Sequence, residues 1–374
     1  MPAEPSDVLL RVRNLRKYYP IESGPLRRVT GYVKAVDDVS FDLHRGEVLG
    51  LVGESGCGKT TLGRCLIRAI DPSGGEILLA PGGDGEPINL AAAGKHALRE
   101  RRPLMSMVFQ DPFSSLSPRM TVRDIISEPL RAQGMKRKDI ETRVVELAQL
   151  VGLNPGHLMR YPNAFSGGQR QRICIARALI SDPVLIVADE PVSALDVSIQ
   201  AQILNLLQRL QREMNLSYVF VAHDLSVVEH IADRVAVMYV GKIVELAETE
   251  GLYTRPLHPY TEALLSAVPK PDPTLPDDTI VLSGEIASPA NPPSGCYFHP
   301  RCPYAQPVCT AEMPPLREIV PGHYAACHFA EQLKLRGVGS MAIADATVSH
   351  SRVEVRASTD PVEDPAPASK ENGH

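Results

Sequence analysis

The residues Gly53-Glu-Ser-Gly-Cys-Gly58-Lys59-Thr60 fit the pattern G-x-x-x-x-G-K-S/T. Glycines at this spacing let backbone N–H groups turn inward around an anion. The run LGLV before the loop reads as a strand, and TLGRCLIRAI after it reads as a helix. A helix N-terminus would then add its dipole to the same point. Lys59 would reach the outer phosphates of a nucleotide, and the Thr60 hydroxyl would ligate Mg2+. Gly53, Ser55, Gly56, Cys57, Gly58, Lys59, Thr60 and Thr61 are the candidate phosphate-binding residues. A second group sits at the ends of other apolar runs. Asp189 and Glu190 follow LIVA. An Asp there can hold the Mg2+ shell, and a Glu can activate water. His223 follows SYVFVA, and Gln110 follows MVF. Ser166-Gly167-Gly168-Gln169 opens another helical run, where a Ser and two glycines can also meet phosphate.

These residues need a frame. Residues 8–52 cluster as strands: VLLRVRNL, KAVDDVSFDL and EVLGLVG. Residues 80–96 are rich in Gly and Ala and read as a loop insertion. Residues 121–164 read as mostly helical, broken at Gly134, Gly152 and Pro155. From residue 166, helices and strands alternate through RVAVMYV, which predicts an α/β domain with a mainly parallel sheet. Gly241 is the expected turn of a hairpin, with KIVEL as the returning strand.

Composition narrows the classes. The chain has 374 residues and a formal net charge of −5, which argues against a dedicated nucleic-acid binder. No apolar run approaches the roughly 20 residues of a membrane span. The first residues, MPAEPSDVLLRVRNL, lack the basic and apolar regions of a secretory signal. The expected place is the cytosol or the cytosolic face of a membrane. Seven cysteines are an odd number, so clustered ones read first as metal ligands. No internal repeat is visible, so the chain holds one nucleotide-binding unit.

GESGCGKT, Gln110, FSGGQ, LIVADE, Ser193-Ala-Leu-Asp196 and His223 occur in the order of the ATP-binding cassette (ABC) ATPases, which this chain resembles over about residues 8–267. The resemblance implies a P-loop NTPase cassette: a RecA-like core, an antiparallel β subdomain, and a helical subdomain at about 111–164. It implies that Gln110 touches Mg2+ and senses the transport subunit. Glu190 would position the attacking water, His223 would contact the γ-phosphate, and Asp196 would lie at a dimer interface. In Leu15-Arg-Lys-Tyr-Tyr19, Tyr19 is the choice to stack on adenine. In this family ATP lies between the phosphate loop of one cassette and the SGGQ of another. A lone chain is therefore not expected to complete a site.

FQDPFSSLSPRMTV, YPNAFSGGQRQRICIARALISDP, HDLSVVEHIADRVAVMYVGKIVE and HPYTEALLSAVP resemble the peptide/nickel importer branch. That implies a sibling ATPase as partner, two transmembrane permeases and an extracytoplasmic solute-binding protein, with the chain peripheral on the membrane's cytoplasmic face. The alternatives are a soluble cassette ATPase without a membrane partner, or import of nickel chelates, glutathione or other small solutes. The expected domains are the cassette at 1–267, a loop-rich C-terminal module at 268–330 and a disordered polar tail at 331–374. Residues 269–321 hold 13 of the 33 prolines. Cys296, Cys302, Cys309 and Cys327 have gaps of five, six and 17 residues. Four thiolates suit Fe–S or Zn2+, and structural zinc usually has shorter gaps. The resemblance implies a four-iron four-sulfur (4Fe–4S) cluster there. Free buried thiols are the other reading. Cys57, beside a helix N-terminus, is expected to be oxidation-sensitive.

Overall fold

The computed structural model describes residues 7–24, 27–80, 87–268 and 279–338. The chain opens with two long strands, β1 (Val8–Ser23) and β2 (Arg28–His44), and continues to β3 (Val48–Val52). The short helix α1 (Lys59–Leu66) leads to β4 (Gly74–Leu79) and β5 (Ile88–Asn89). Next come α2 (Lys95–Arg101), β6 (Met105–Val108), α3 (Pro112–Ser115), α4 (Val122–Ala132), α5 (Arg137–Leu150) and α6 (Gly167–Leu179). The alternating part follows: β7 (Leu185–Asp189), α7 (Val197–Met214), β8 (Ser217–Val221), α8 (Leu225–Ile231), β9 (Arg234–Tyr239) and β10 (Lys242–Glu248). The chain closes with α9 (Thr249–Thr254), α10 (Pro259–Ser266), α11 (Pro307–Ala311), β11 (Arg317–Val320) and β12 (His323–Ala325).

The strands form two sheets. One has the order β2-β1-β4-β5 and is antiparallel throughout. The other has the order β11-β12-β10-β9-β3-β8-β7-β6. Within it β6, β7, β8, β3 and β9 run parallel, and β10, β12 and β11 are added antiparallel. Both faces of the parallel part are covered, which explains its nearly continuous apolar strands. Alternate residues serve opposite faces. Val48 and Val52 of β3 join the core shared with the helices α4–α8, while Leu49 and Leu51 join the core under α1 and the antiparallel sheet. The turn between β9 and β10 falls at Val240 (φ 41°) and Gly241 (φ 80°), as the sequence implies.

The helical region builds from ordinary signals. Thr121 Oγ1 accepts from the Asp124 N–H at the start of α4. Val122, Ile125, Ile126 and Leu130 share its buried face at helical spacing. Gly134 at φ 79° ends it, and Gly152 at φ 76° follows α5. The loop expected at 80–96 is broken by β5 and the start of α2, and residues 81–86 lie outside the described residues.

The C-terminal segment departs from the expected separate module. β12 pairs with β10 through Glu245–Ala325 and Leu246–Tyr324, so the segment extends the main sheet. Glu245 on β10 is fully buried and accepts from the Leu257 and His258 N–H groups at 2.7 and 3.0 Å. His323 Nε2 lies 2.7 Å from the same carboxylate. One acidic side chain thus joins β10, the start of α10 and β12. The first residues of the expected tail are docked as well: the Arg336 N–H donates to Glu262 at 2.8 Å. Residues 339–374 lie outside the described residues. Glu245→Ala would strand two buried amides, a cost of about 3 kcal/mol. A thermal melt should show Tm lower by about 5 °C. An unchanged Tm would contradict this role.

Candidate functional site

Four loops meet at one edge of the parallel sheet, because β3, β6, β7 and β8 all end there. Asp189 of β7 pairs with Val221 of β8, and Leu51 of β3 pairs with the same Val221. The phosphate loop, Glu190, His223 and Gln110 leave these aligned ends. In open parallel sheets this edge is where ligands bind.

The loop needs glycine for two reasons. Gly53, Gly56 and Gly58 have φ of 148°, 79° and 110°, values that side chains resist. A Cβ on Gly53 would stand 2.1 Å from the Met238 carbonyl oxygen, and one on Gly58 2.0 Å from that of Ala35. Backbone therefore lies directly on backbone. Gly58 caps α1 without a side-chain hydrogen bond, so the first-turn amides stay open to an anion. Lys59 is buried, and its Nζ donates to the Gly53 and Glu54 carbonyls at 2.7 and 3.1 Å. Ser55 and Gly56 stand exposed at the mouth, and Thr61 lies in the first turn of α1. Cys57 is buried beneath the loop, and burial pushes its thiol up. Burial, opposed by Lys59, runs against the expected oxidation sensitivity.

Thr60 Oγ1 donates to Asp189 Oδ1 at 2.8 Å. Burial pushes the Asp189 carboxyl up, with Thr60 and the cations Arg64 and Lys59 opposing. A buried carboxylate beside a hydroxyl is a fitting donor set for Mg2+, whose charge would favour the ionised form. Glu190 comes next, at φ 46°, an uncommon backbone state found often at functional sites. Its N–H donates to the Val221 carbonyl at 3.0 Å. Its Oε2 accepts from Gln110 Nε2 at 2.9 Å and lies 3.2 Å from His223 Nδ1. Glu190, Gln110 and His223 are thus assembled.

The Ser166-Gly167-Gly168-Gln169 turn forms a capping box at the start of α6. Gly167 and Gly168 lie against Leu195 and Ile199, so the turn packs on the Asp196 segment. Asp196 starts α7 without a side-chain cap bond, and neighbouring Val197 is 82% exposed. No hydrogen bond among the described residues joins this turn to the phosphate loop. Near β1, Tyr18 spends its hydroxyl on Asp37, which also accepts from Tyr297 and pairs with Lys242. Tyr19 is 36% exposed, with Lys17 Nζ 4.8 Å from its ring centre.

Sequence reasoning missed three residues. Glu54 stands at an unspecified position of the loop motif, yet its carboxylate is held by Arg301. Tyr260 lies in HPYTEALLSAVP, but that segment carries no sign that its hydroxyl accepts from the Glu54 N–H. Both partners lie far along the chain, and no local spacing announces them.

Cys296, Cys302, Cys309 and Cys327 do converge, lining one cavity of about 20 Å³. That space holds about one water. Burial pushes the thiols of Cys302 and Cys327 up to about 12 and about 11. Among the described residues no group of three or more His, Cys, Asp or Glu side chains is arranged to hold a metal ion. The donors are right in kind and share one narrow cavity, with Cys309 buried and Cys296, Cys302 and Cys327 half-buried.

The comparisons bear on the whole arrangement. The ABC transporter family matches residues 36–193, and the oligopeptide/dipeptide transporter C-terminal region matches residues 244–309. The chain is 53% identical to the oligopeptide transport ATP-binding protein AppF of Bacillus subtilis, covering 88% of this chain and 99% of that protein. It belongs to the peptide branch of the ABC transporter ATPases. A probable peptide ABC transporter ATP-binding protein of Sinorhizobium fredii is 52% identical over 86% of this chain and 90% of its own length. Among solved structures, a dimeric ATP-binding cassette bound to ADP and Pi superposes with a TM-score of 0.56 at 26% identity, covering 64% of this chain and 99% of that one. A cassette of Clostridium perfringens, part of an ABC transporter complex, gives 0.57 at 26% identity, covering 66% and 91%. As an ABC ATPase, the chain hydrolyses ATP. Among the described residues no helix is long and apolar enough to cross a membrane. Glu190→Gln keeps the side-chain shape and the loop. It should retain ATP binding and lose about 100-fold or more in turnover. Near-normal hydrolysis would remove Glu190 from its role.

Proposed function

We propose that this chain is the ATP-hydrolysing subunit that energises import of di- and oligopeptides across the cytoplasmic membrane. The observation that carries the reading is the convergence of Lys59, the Thr60–Asp189 pair and the Gln110–Glu190–His223 group at one sheet edge. The loop amides and Lys59 bind the phosphates. Thr60 and Asp189, with Gln110, are the residues to hold Mg2+, which neutralises phosphate charge when bound. Glu190 Oε2 accepts the proton of the attacking water, and Gln110 and His223 fix its direction. Tyr19 offers its ring to the adenine.

A second chain completes the site. The SGGQ turn and Asp196 form one surface with exposed Val197, which supports contact with another cassette there. A sibling cassette is the proposed partner. The permeases dock beside Gln110, where Phe109, Phe113, Met159 and Tyr161 are all exposed. The solute-binding protein supplies the peptide on the far side. The chain is then peripheral, on the cytoplasmic face of the membrane. In proteoliposomes holding the whole transporter, Mg-ATP should drive labelled peptide inward, and Glu190→Gln in this chain should cut uptake by about tenfold or more. ATP-independent uptake, or nickel or glutathione uptake with none of peptide, would overturn the cargo.

For the cysteine cavity the proposal is narrower: Cys296, Cys302, Cys309 and Cys327 ligate a 4Fe–4S cluster once the thiols ionise and the cavity widens. Four thiols on one cavity support it. Anaerobically purified protein should be brown, with iron and sulfide near four per chain. Colourless protein without iron would leave four packing thiols.

A further inference from the structure

All three polar groups of Glu54 are held. Its N–H donates to the Tyr260 hydroxyl at 2.8 Å, and its carbonyl accepts from Lys59 Nζ at 3.1 Å. Its carboxylate accepts two parallel bonds from Arg301, Nη1 to Oε2 at 2.8 Å and Nη2 to Oε1 at 3.0 Å. Two of these partners come from beyond β10: Tyr260 from α10, and Arg301 from the turn between Cys296 and Cys302. Both are buried. The rings of Tyr239, Tyr260 and Phe298 pack with centroids 4.7–5.4 Å apart, which ties the end of β9 to both partners of Glu54. Arg301 thus stands on a rigid mount.

The chemistry of the loop makes the pair matter. Glu54 is a negative charge inside a loop built to receive polyphosphate, and unpaired it would oppose the ligand. A forked guanidinium cancels that charge and fixes its direction, which a lysine point charge does less well. Lys59 also bonds the Glu54 carbonyl, so the set of Glu54 bears on the cation that must meet the phosphates.

We infer that Arg301 is a positioning residue of the ATP site, which neutralises and orients Glu54 so that the phosphate loop admits nucleotide. The C-terminal segment is then a part of that site. No motif of the cassette contains Arg301, and its partner occupies an unspecified position of the loop.

The inference rests on the ATP reading of the loop, and one titration tests both. The full-length chain is titrated with a fluorescent ATP analogue and Mg2+, and ATP hydrolysis is followed in parallel. Arg301→Ala should weaken binding and raise KM about tenfold, with kcat within about threefold. Removing the stranded charge as well, in Arg301→Ala with Glu54→Gln, should return Kd to within about threefold of the wild type. Arg301→Lys should fall between. If Arg301→Ala does not fold, Arg301→Gln replaces it, with and without Glu54→Gln. An unchanged Kd in the Arg301 variant overturns the inference alone. So does a weakened Kd that Glu54→Gln does not relieve, which would mean packing only. A wild type that binds no nucleotide overturns the ATP reading and the inference together.

Discussion

An anion-binding loop must bring many N–H donors to one point, and the chain around it must leave no room for side chains. Here the Met238 and Ala35 carbonyls occupy the places where Cβ atoms of Gly53 and Gly58 would stand. β9 and β2 therefore have to arrive at fixed positions under the loop. The two sheets share an apolar core, and the loop sits where strands of both supply its backing carbonyls. Lys59 is folded into the loop from inside, and its carbonyl partners hold it until a stronger acceptor arrives.

The opposite wall of the site works by aligned strand ends. Because β3, β7 and β8 are in register, a hydroxyl, two acids and a histidine come together without a long loop. Asp189 and Glu190 are adjacent in sequence but face different surroundings. Asp189 is buried against Thr60, whereas Glu190 turns through a positive φ toward Gln110 and His223. The turn points two neighbouring acids at different partners.

Much of this was legible in the sequence because it is local. The P-loop, the acids after LIVA, and His223 are each announced by an apolar strand and the residues just after it. Helix breaks at Gly134 and Gly152 were legible for the same reason, since left-handed residues at helix ends favour glycine. Long-range polar pairing was not legible. Glu245 reads as one polar position in KIVEL, yet it is the buried acceptor that fastens the C-terminal strand. Arg301 and Asp37 gather partners separated by more than 200 residues. The cysteines were legible as a group, but spacing alone does not give the volume between them.

On the proposed reading this chain carries both halves of an ATP site but completes neither alone. Sedimentation velocity of full-length Glu190→Gln, with its partner cassette and Mg-ATP, tests it most directly. The expected result is a two-cassette species that forms with ATP and dissolves when ADP replaces it. A single-cassette species at saturating ATP, alongside wild-type hydrolysis whose rate per chain ignores protein concentration, would contradict it.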